Sequence, residues 1–118
     1  LGITTERKLA SNLGIETDDK TQRLIDICQH LNADTYVSPP SSLVYLQNSG
    51  AFETAPVDLR YFAFDHPSYP QSYGEFRSHM SVMDALAHLE LDELKIMMRK
   101  AILPTQTKME LSSEHDRF

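Results

Sequence analysis

The sequence predicts an α/β fold: a small parallel sheet of β-α-β-α-β type, followed by an ordered loop and a long C-terminal helix. Three observations predict it. Apolar residues recur at helical spacing between Leu24 and Leu31, β-prone runs flank helical segments, and the longest helical pattern begins only after a proline-bounded loop. With 118 residues, the chain bounds to one modest domain, expected over residues 1–104, with residues 105–118 as a polar tail.

The elements follow in order. Thr5-Glu6-Arg7-Lys8-Leu9-Ala10 has helix propensity, and Gly14 suits the residue after a helix end. A strand through Arg7 to Ser11 would instead complete the β-α-β-α-β series, and we take the strand. The first helix runs from about Asp18 to Leu31. Thr17 or Asp18 can cap it, Leu24, Cys28 and Leu31 form its apolar stripe with Ile25 and Ile27, and Asn32 stops it. Thr35-Tyr36-Val37-Ser38 is β-prone and is halted by Pro39-Pro40. Ser41 or Ser42 can cap a short helix through Leu46, ended by Asn48-Ser49-Gly50.

The next strand reads from Val57 to Phe64. Its far face turns apolar at Phe62 and Phe64, as in a strand buried on both sides. Pro67, Pro70 and Gly74 then break regular structure, and Tyr69 and Tyr73 must pack, so the segment is an ordered loop. A helix starts at Ser81 and carries Val82, Leu86, Leu89, Leu94, Met97 and Met98 toward Pro104. Asp92 offers an interruption, and Lys95, Arg99 and Lys100 suit its C-terminal dipole.

Composition removes several function classes. Seventeen acidic against eleven basic residues give a net charge of −6, which argues against a nucleic-acid partner. The single cysteine, Cys28, excludes an internal disulfide and a cysteine-based zinc site, and its place on the apolar stripe makes it core. No apolar run is long enough for a membrane span and no signal peptide is visible, so a cytoplasmic place is expected. The chain opens Leu1-Gly2-Ile3 without an initiator methionine, as expected of a piece of something longer.

Ligands of open parallel sheets gather beyond the carboxyl ends of strands. That rule points to Ser11-Asn12, Ser38-Pro39 and the loop at His66, although small polar residues there also serve local turns. Lys20, Thr21 and Arg23 lie at a helix start, where unpaired N–H groups attract anions, but Asp18 and Asp19 share that turn and oppose one. His66 precedes Pro67-Ser68-Tyr69-Pro70-Gln71, a rigid set of aromatic and hydrogen-bonding groups that reads either as a pocket wall or as a loop pinned to the core. It is the residue best suited to proton transfer near neutral pH. His79, Ser81, Asp84 and His88 invite a triad, yet side chains at the start of one helix radiate apart. Ser81 and Asp84 fit a capping box, and Asp84 and His88 share a face where they can pair or hold a metal weakly; no metal site is assigned.

The strings KTQRLIDIC (Lys20 to Cys28), TYVSPPSSLVYL (Thr35 to Leu46), HPSYPQSYGEF (His66 to Phe76) and MSVMD (Met80 to Asp84), in that order and spacing, resemble the C-terminal half of the WbqC-like family. Ser11-Asn12-Leu13-Gly14-Ile15 fits the pattern too. The family's opening His-Gln-Pro and Gly-Tyr-Phe segments are absent, and Ala85 to Leu91 stand where its Leu-Phe-Asn stretch would be. The resemblance implies surface-polysaccharide assembly, through transfer of a small acyl or aminoacyl group to a sugar-linked substrate. His66 would be the acid/base, Ser38, Tyr69 and Gln71 would orient the substrate, Lys20 and Arg23 would meet a phosphate, and Ser11 would line the site. The sequence does not identify a cofactor. The competing reading is a non-catalytic half-domain completed by a partner or by self-association through the methionine-rich C-terminal helix.

Overall fold

The computed structural model of the chain describes residues 1–72 and 74–115, the side chains of 114 and 115 excepted. Its elements are α1 (Lys20–His30), β1 (Thr35–Ser38), α2 (Leu43–Ser49), α3 (Ala51–Thr54), β2 (Asp58–Phe64), α4 (Val82–His88), α5 (Leu91–Ala101), β3 (Ile102–Gln106) and α6 (Lys108–His115). The three strands form one sheet in the order β1-β2-β3. β1 and β2 are parallel, with Tyr36 opposite Leu59 and Ser38 opposite Tyr61. β3 runs the other way: Asp65 N–H bonds Ala101 O at 2.9 Å, whereas Arg60 Nε reaches Thr105 Oγ1 at 2.7 Å. The α/β class therefore holds, with a mixed sheet.

Two details of the expected topology change. Residues Ala10–Leu13 form a 3-10 turn closed by Gly14 at φ 64°, where a strand was expected through Ser11. Local propensity wins there, because Glu6 to Ala10 contains no β-branched residue to favour a pleated edge. The third strand comes instead from Ile102–Gln106. The helix ends at Ala101 because Pro104 disfavours helical geometry in the residue before it, and a proline is tolerated on an edge strand.

The single long C-terminal helix is also two helices. The break falls at Leu89–Glu90, where the Glu93 carboxylate accepts the Glu90 N–H at 3.3 Å. Beyond Thr105, expected to fray, the chain continues into α6. Thr107 Oγ1 accepts the Glu110 N–H at 3.3 Å, and the Glu110 carboxylate accepts the Thr107 N–H at 2.7 Å. Those bonds, the backbone one first, hold the Glu110 carboxyl below its usual range.

The chain divides into two compact units, one of Thr5–Ala63 with the segment from Thr105 onward, the other of Leu1–Thr4 with Phe64–Pro104. In the first unit, α1 starts at Asp19, whose carboxylate accepts the Gln22 N–H at 2.7 Å. It stops in a Schellman turn: Asn32 sits at φ 54°, and the Ala33 N–H bonds Cys28 O at 2.8 Å. Ile25 and Cys28 pack with Val57, and Leu46 and Tyr61 pack with Leu111 of α6. On the opposite sheet face, Val37 and Phe62 are exposed. The sequence expectation of a β2 buried on both sides thus fails at Phe62.

Tyr61 is completely buried, and its hydroxyl has no hydrogen-bond partner among the described residues. Burial accordingly pushes its ionisation upward. An unmet buried hydroxyl costs on the order of 1–3 kcal/mol of desolvation. Tyr61→Phe should therefore stabilise the fold by about 1 kcal/mol, read as a higher urea midpoint at unchanged slope. A lower midpoint would mean that the hydroxyl is satisfied after all.

In the second unit, α4 and α5 pack against each other around Ala85, Leu94 and Ala101. Leu94 is the one large side chain of this unit, among the described residues, that is fully buried. Val82, Met83, Leu86, Leu91 and Ile96 remain exposed on the same helices. No helix among the described residues is long and apolar enough to cross a membrane.

Candidate functional site

The loop between β2 and α4 carries the densest chemistry. It has no regular structure, so its side chains must provide the order its backbone lacks. Gln71 does so at one end: its Oε1 accepts the Arg77 N–H at 2.9 Å, and its Nε2 donates to Arg77 O at 3.1 Å. The N–H can only donate, which assigns the amide orientation. The same Nε2 lies 2.9 Å from Asp84 Oδ2, and the Tyr69 hydroxyl donates to that oxygen at 2.6 Å. The loop is therefore fastened to α4 through one carboxylate.

Ser81 caps α4 by accepting the Met83 N–H at 3.3 Å. Asp84 does not complete the expected capping box, because its carboxylate is turned to Tyr69 and Gln71. Those two bonds, Tyr69 first, and then the nearby His88, hold the Asp84 carboxyl below the usual carboxylate range. The same contact with Asp84, helped by burial, pushes the Tyr69 phenol up. Tyr73, expected as a second anchor of the loop, lies outside the described residues.

A cavity of about 210 Å³ opens beneath this loop, walled by His66, Tyr69, Phe76, Met80, Leu94 and Met98. Most of the wall is apolar side chain, with a few polar groups converging on it, the make-up of a small-molecule site. The His66 ring lies over the His79 ring, their centroids 3.8 Å apart and tilted by 33°. Phe64 meets His66 edge-on at 5.0 Å, and Ser78 Oγ lies 2.8 Å from His79 Nδ1. His79 reaches this position through a backbone φ of 60°, a region that few side chains other than Asn, Asp and His adopt. His66 is thus held in orientation by two rings, with its imidazole on the cavity wall.

The other residues singled out from the sequence lie in the other unit. Ser38 is buried at 1% exposure, and its hydroxyl is 2.5 Å from Ser42 Oγ. Ser42 in turn donates to Pro39 O at 2.6 Å, so Ser38 is the donor in the first bond. Lys20 is exposed at the first residue of α1. The Arg23 guanidinium donates to Thr17 O, which closes the turn leading into the helix. Ser11 is exposed in the 3-10 turn rather than at a strand end.

The structure therefore places His66 and Tyr69 on the wall of this cavity, while Gln71 lines a neighbouring depression with Arg77, Asp84 and His88 and reaches Tyr69 only through their shared partner Asp84. In the sequence His79 stands out only as a triad candidate; for its place under His66 the one local signal is its position just before the Met80-Ser81 helix start. Among the described residues, no group of three or more His, Cys, Asp and Glu is placed to hold a metal ion.

Comparison with known proteins bears on the same segments. The model of the WbqC-like protein family matches residues 1–96, which takes in the whole His66 loop and α4. The uncharacterized protein Rv1507c of Mycobacterium tuberculosis (strain ATCC 25618 / H37Rv) is 35% identical over 88 residues, covering 73% of this chain. The match spans 37% of that relative, so this chain corresponds to little more than a third of its length. No solved structure matches. The family match over most of its length, together with this relative, places the chain in a family: it belongs to the WbqC-like protein family.

Proposed function

We propose that this chain supplies part of a transferase centre that moves a small acyl or aminoacyl group onto a sugar-linked substrate, in the assembly of surface polysaccharide. The observation that carries the reading is His66 on the wall of a 210 Å³ cavity, braced by His79 and Phe64. An imidazole held in this way can take the proton from a sugar hydroxyl or amine as it attacks an acyl carbon, and return it to the leaving group. Tyr69 and the Gln71 amide would set the substrate's orientation, since both are already fixed by Asp84. Within their own unit, Ser38, Ser11, Lys20 and Arg23 are kept as proposed substrate contacts, the two cations toward a phosphate.

The test is to incubate the protein with free and nucleotide-linked amino sugars and with acetyl and glycyl thioesters, and to weigh the sugars by mass spectrometry. Acylated sugar should form, and His66→Ala should lower its rate by about a hundredfold, the lower range for loss of a general acid/base. Unchanged turnover in His66→Ala would remove His66 from the reaction.

A second reading is favoured by the exposed apolar side chains of Val37 on the sheet and of Val44 and Tyr45 on α2. In that reading the chain is a binding unit completed by another chain or another copy. Light scattering across concentrations separates the two, because self-association with no sugar product supports the second alone.

A further inference from the structure

Beside the His66 cavity, a second depression of about 270 Å³ is lined by Gln71, Ser72, Arg77, Met80, Asp84 and His88. His88 is fixed in it by two contacts. Its Nδ1 lies 2.7 Å from the backbone oxygen of Asp84, and its Nε2 lies 2.9 Å from Ser72 Oγ. A carbonyl oxygen only accepts, so Nδ1 carries the proton and Nε2 presents its lone pair to the serine hydroxyl. That is the tautomer a general base needs toward a serine nucleophile. The Asp84 carboxylate stands 3.6 Å from Nδ1, close enough to favour an imidazolium when one forms. Arg77 lines the same depression.

Ser81, Asp84 and His88 radiate from a single helix and form no triad among themselves. The structure takes the serine from elsewhere, sixteen residues before His88 and on the facing loop. We propose that Ser72 and His88 form a nucleophile–base pair that accepts an acyl group from an activated ester or thioester. Asp84 acts on it as a positioning residue, and Arg77 meets the negative charge that develops on the carbonyl oxygen. In the step, Ser72 Oγ bonds the acyl carbon while its proton passes to His88 Nε2. The bond from that carbon to the leaving oxygen or sulfur then breaks, and the leaving group departs with the electron pair and takes the proton from Nε2. Water or an acceptor hydroxyl reverses the sequence and frees the serine. None of this requires His66, so the proposal stands or falls apart from the sugar-transfer reading.

Diisopropyl fluorophosphate tests it on the intact chain, since attack forms an Oγ–P bond and releases fluoride without a known substrate. The expected result is one adduct, mapped by mass spectrometry to Ser72, forming about a hundredfold faster on the folded than on the urea-unfolded protein. Ser72→Ala, a small change at an exposed position, should lose the adduct while keeping its circular dichroism spectrum. His88→Gln should slow labelling by a similar factor. Tyr69→Phe removes a loop contact to Asp84 but leaves the carboxylate beside His88, so it should keep most of the labelling rate that Asp84→Asn loses, a difference that a merely structural role of Asp84 would not produce. No adduct, an adduct on another residue, or labelling no faster than in the unfolded chain would overturn the proposal.

Discussion

Leu94→Ala is expected to destabilise the unit built on α4 and α5 by about 3 kcal/mol, within the 2–5 kcal/mol range for a buried leucine. The unit has little else to fall back on. Its other fully buried apolar side chains among the described residues are Ala85 and Ala101, each a single methyl. Leu94 also forms part of the cavity wall, so its truncation would not leave a sealed void. It would widen a space of about 210 Å³ that already exists. Collapse is then the alternative to widening, and collapse would carry Met97 and Met98, which also line the cavity, toward the gap. Hydrogen exchange should show the loss concentrated in α4 and α5, with the amides of α1 protected as before. Leu94→Met, which keeps the volume, should cost less than about 1.5 kcal/mol. Equal losses in both variants, or a loss spread evenly over the chain, would mean that Leu94 is not the keystone of this unit.

The parts of the fold that were readable in the sequence are those where one periodicity dominates. α1 repeats its apolar residues at Leu24, Cys28 and Leu31 and closes at Asn32, which the Schellman geometry accounts for. β2 alternates Val57, Leu59, Tyr61 and Ala63, the face that includes the buried Tyr61. β3 is hidden because the helical spacing of apolar residues in α5 carries on through Met97, Met98 and Ala101 into Ile102 and Leu103, leaving Pro104 as the one sign of a change. α6 was hidden by its polar composition, although Thr107-x-x-Glu110 spells the capping box that the structure uses. At Arg7 to Ser11 topology favours a strand and propensity a helical turn; propensity prevails, because Ile102–Gln106 supplies the third strand.

The candidate site divides along the same lines. His66, Tyr69 and Gln71 were legible because they sit together on a proline-bounded loop whose groups had to be satisfied somehow. What satisfies them was not legible. Asp84 reads locally as a helix-capping residue, and only the return of the loop over α4 turns it into the acceptor for Tyr69 and Gln71. Ser72 and His88 carry no spacing signal at all, since a loop and a helix face are brought together by tertiary structure.

That dependence on one carboxylate sets the second large effect, on the pH range over which the loop stays fastened. The Asp84 carboxyl is depressed below its ordinary value of 3.8, chiefly by the Tyr69 bond and then by Gln71. A depressed acid contributes stability above its unfolded value, and this is lost as pH falls through the folded value. The acid limb from Asp84 therefore lies below pH 3.8. Tyr69 has the opposite sign: its phenol is raised above 10.0, mainly by the bond to Asp84. Its contribution is complete below pH 10.0 and is lost as pH rises through the folded value. Between those limits the contact is intact, because the carboxylate is ionised and the phenol still carries its proton. Asp84→Asn should lower stability at neutral pH and flatten the acid limb, since the amide cannot ionise. Tyr69→Phe should remove its own share of the alkaline limb, leaving that of the buried Tyr61, and should leave part of the acid limb, carried by Gln71. Urea midpoints from pH 2 to 11 in the three proteins measure all of this, with exchange at the Arg77 amide reporting whether the loop itself has opened. Acid limbs that run parallel in wild type and Asp84→Asn would show that another carboxylate sets the acid stability and that the loop does not depend on Asp84.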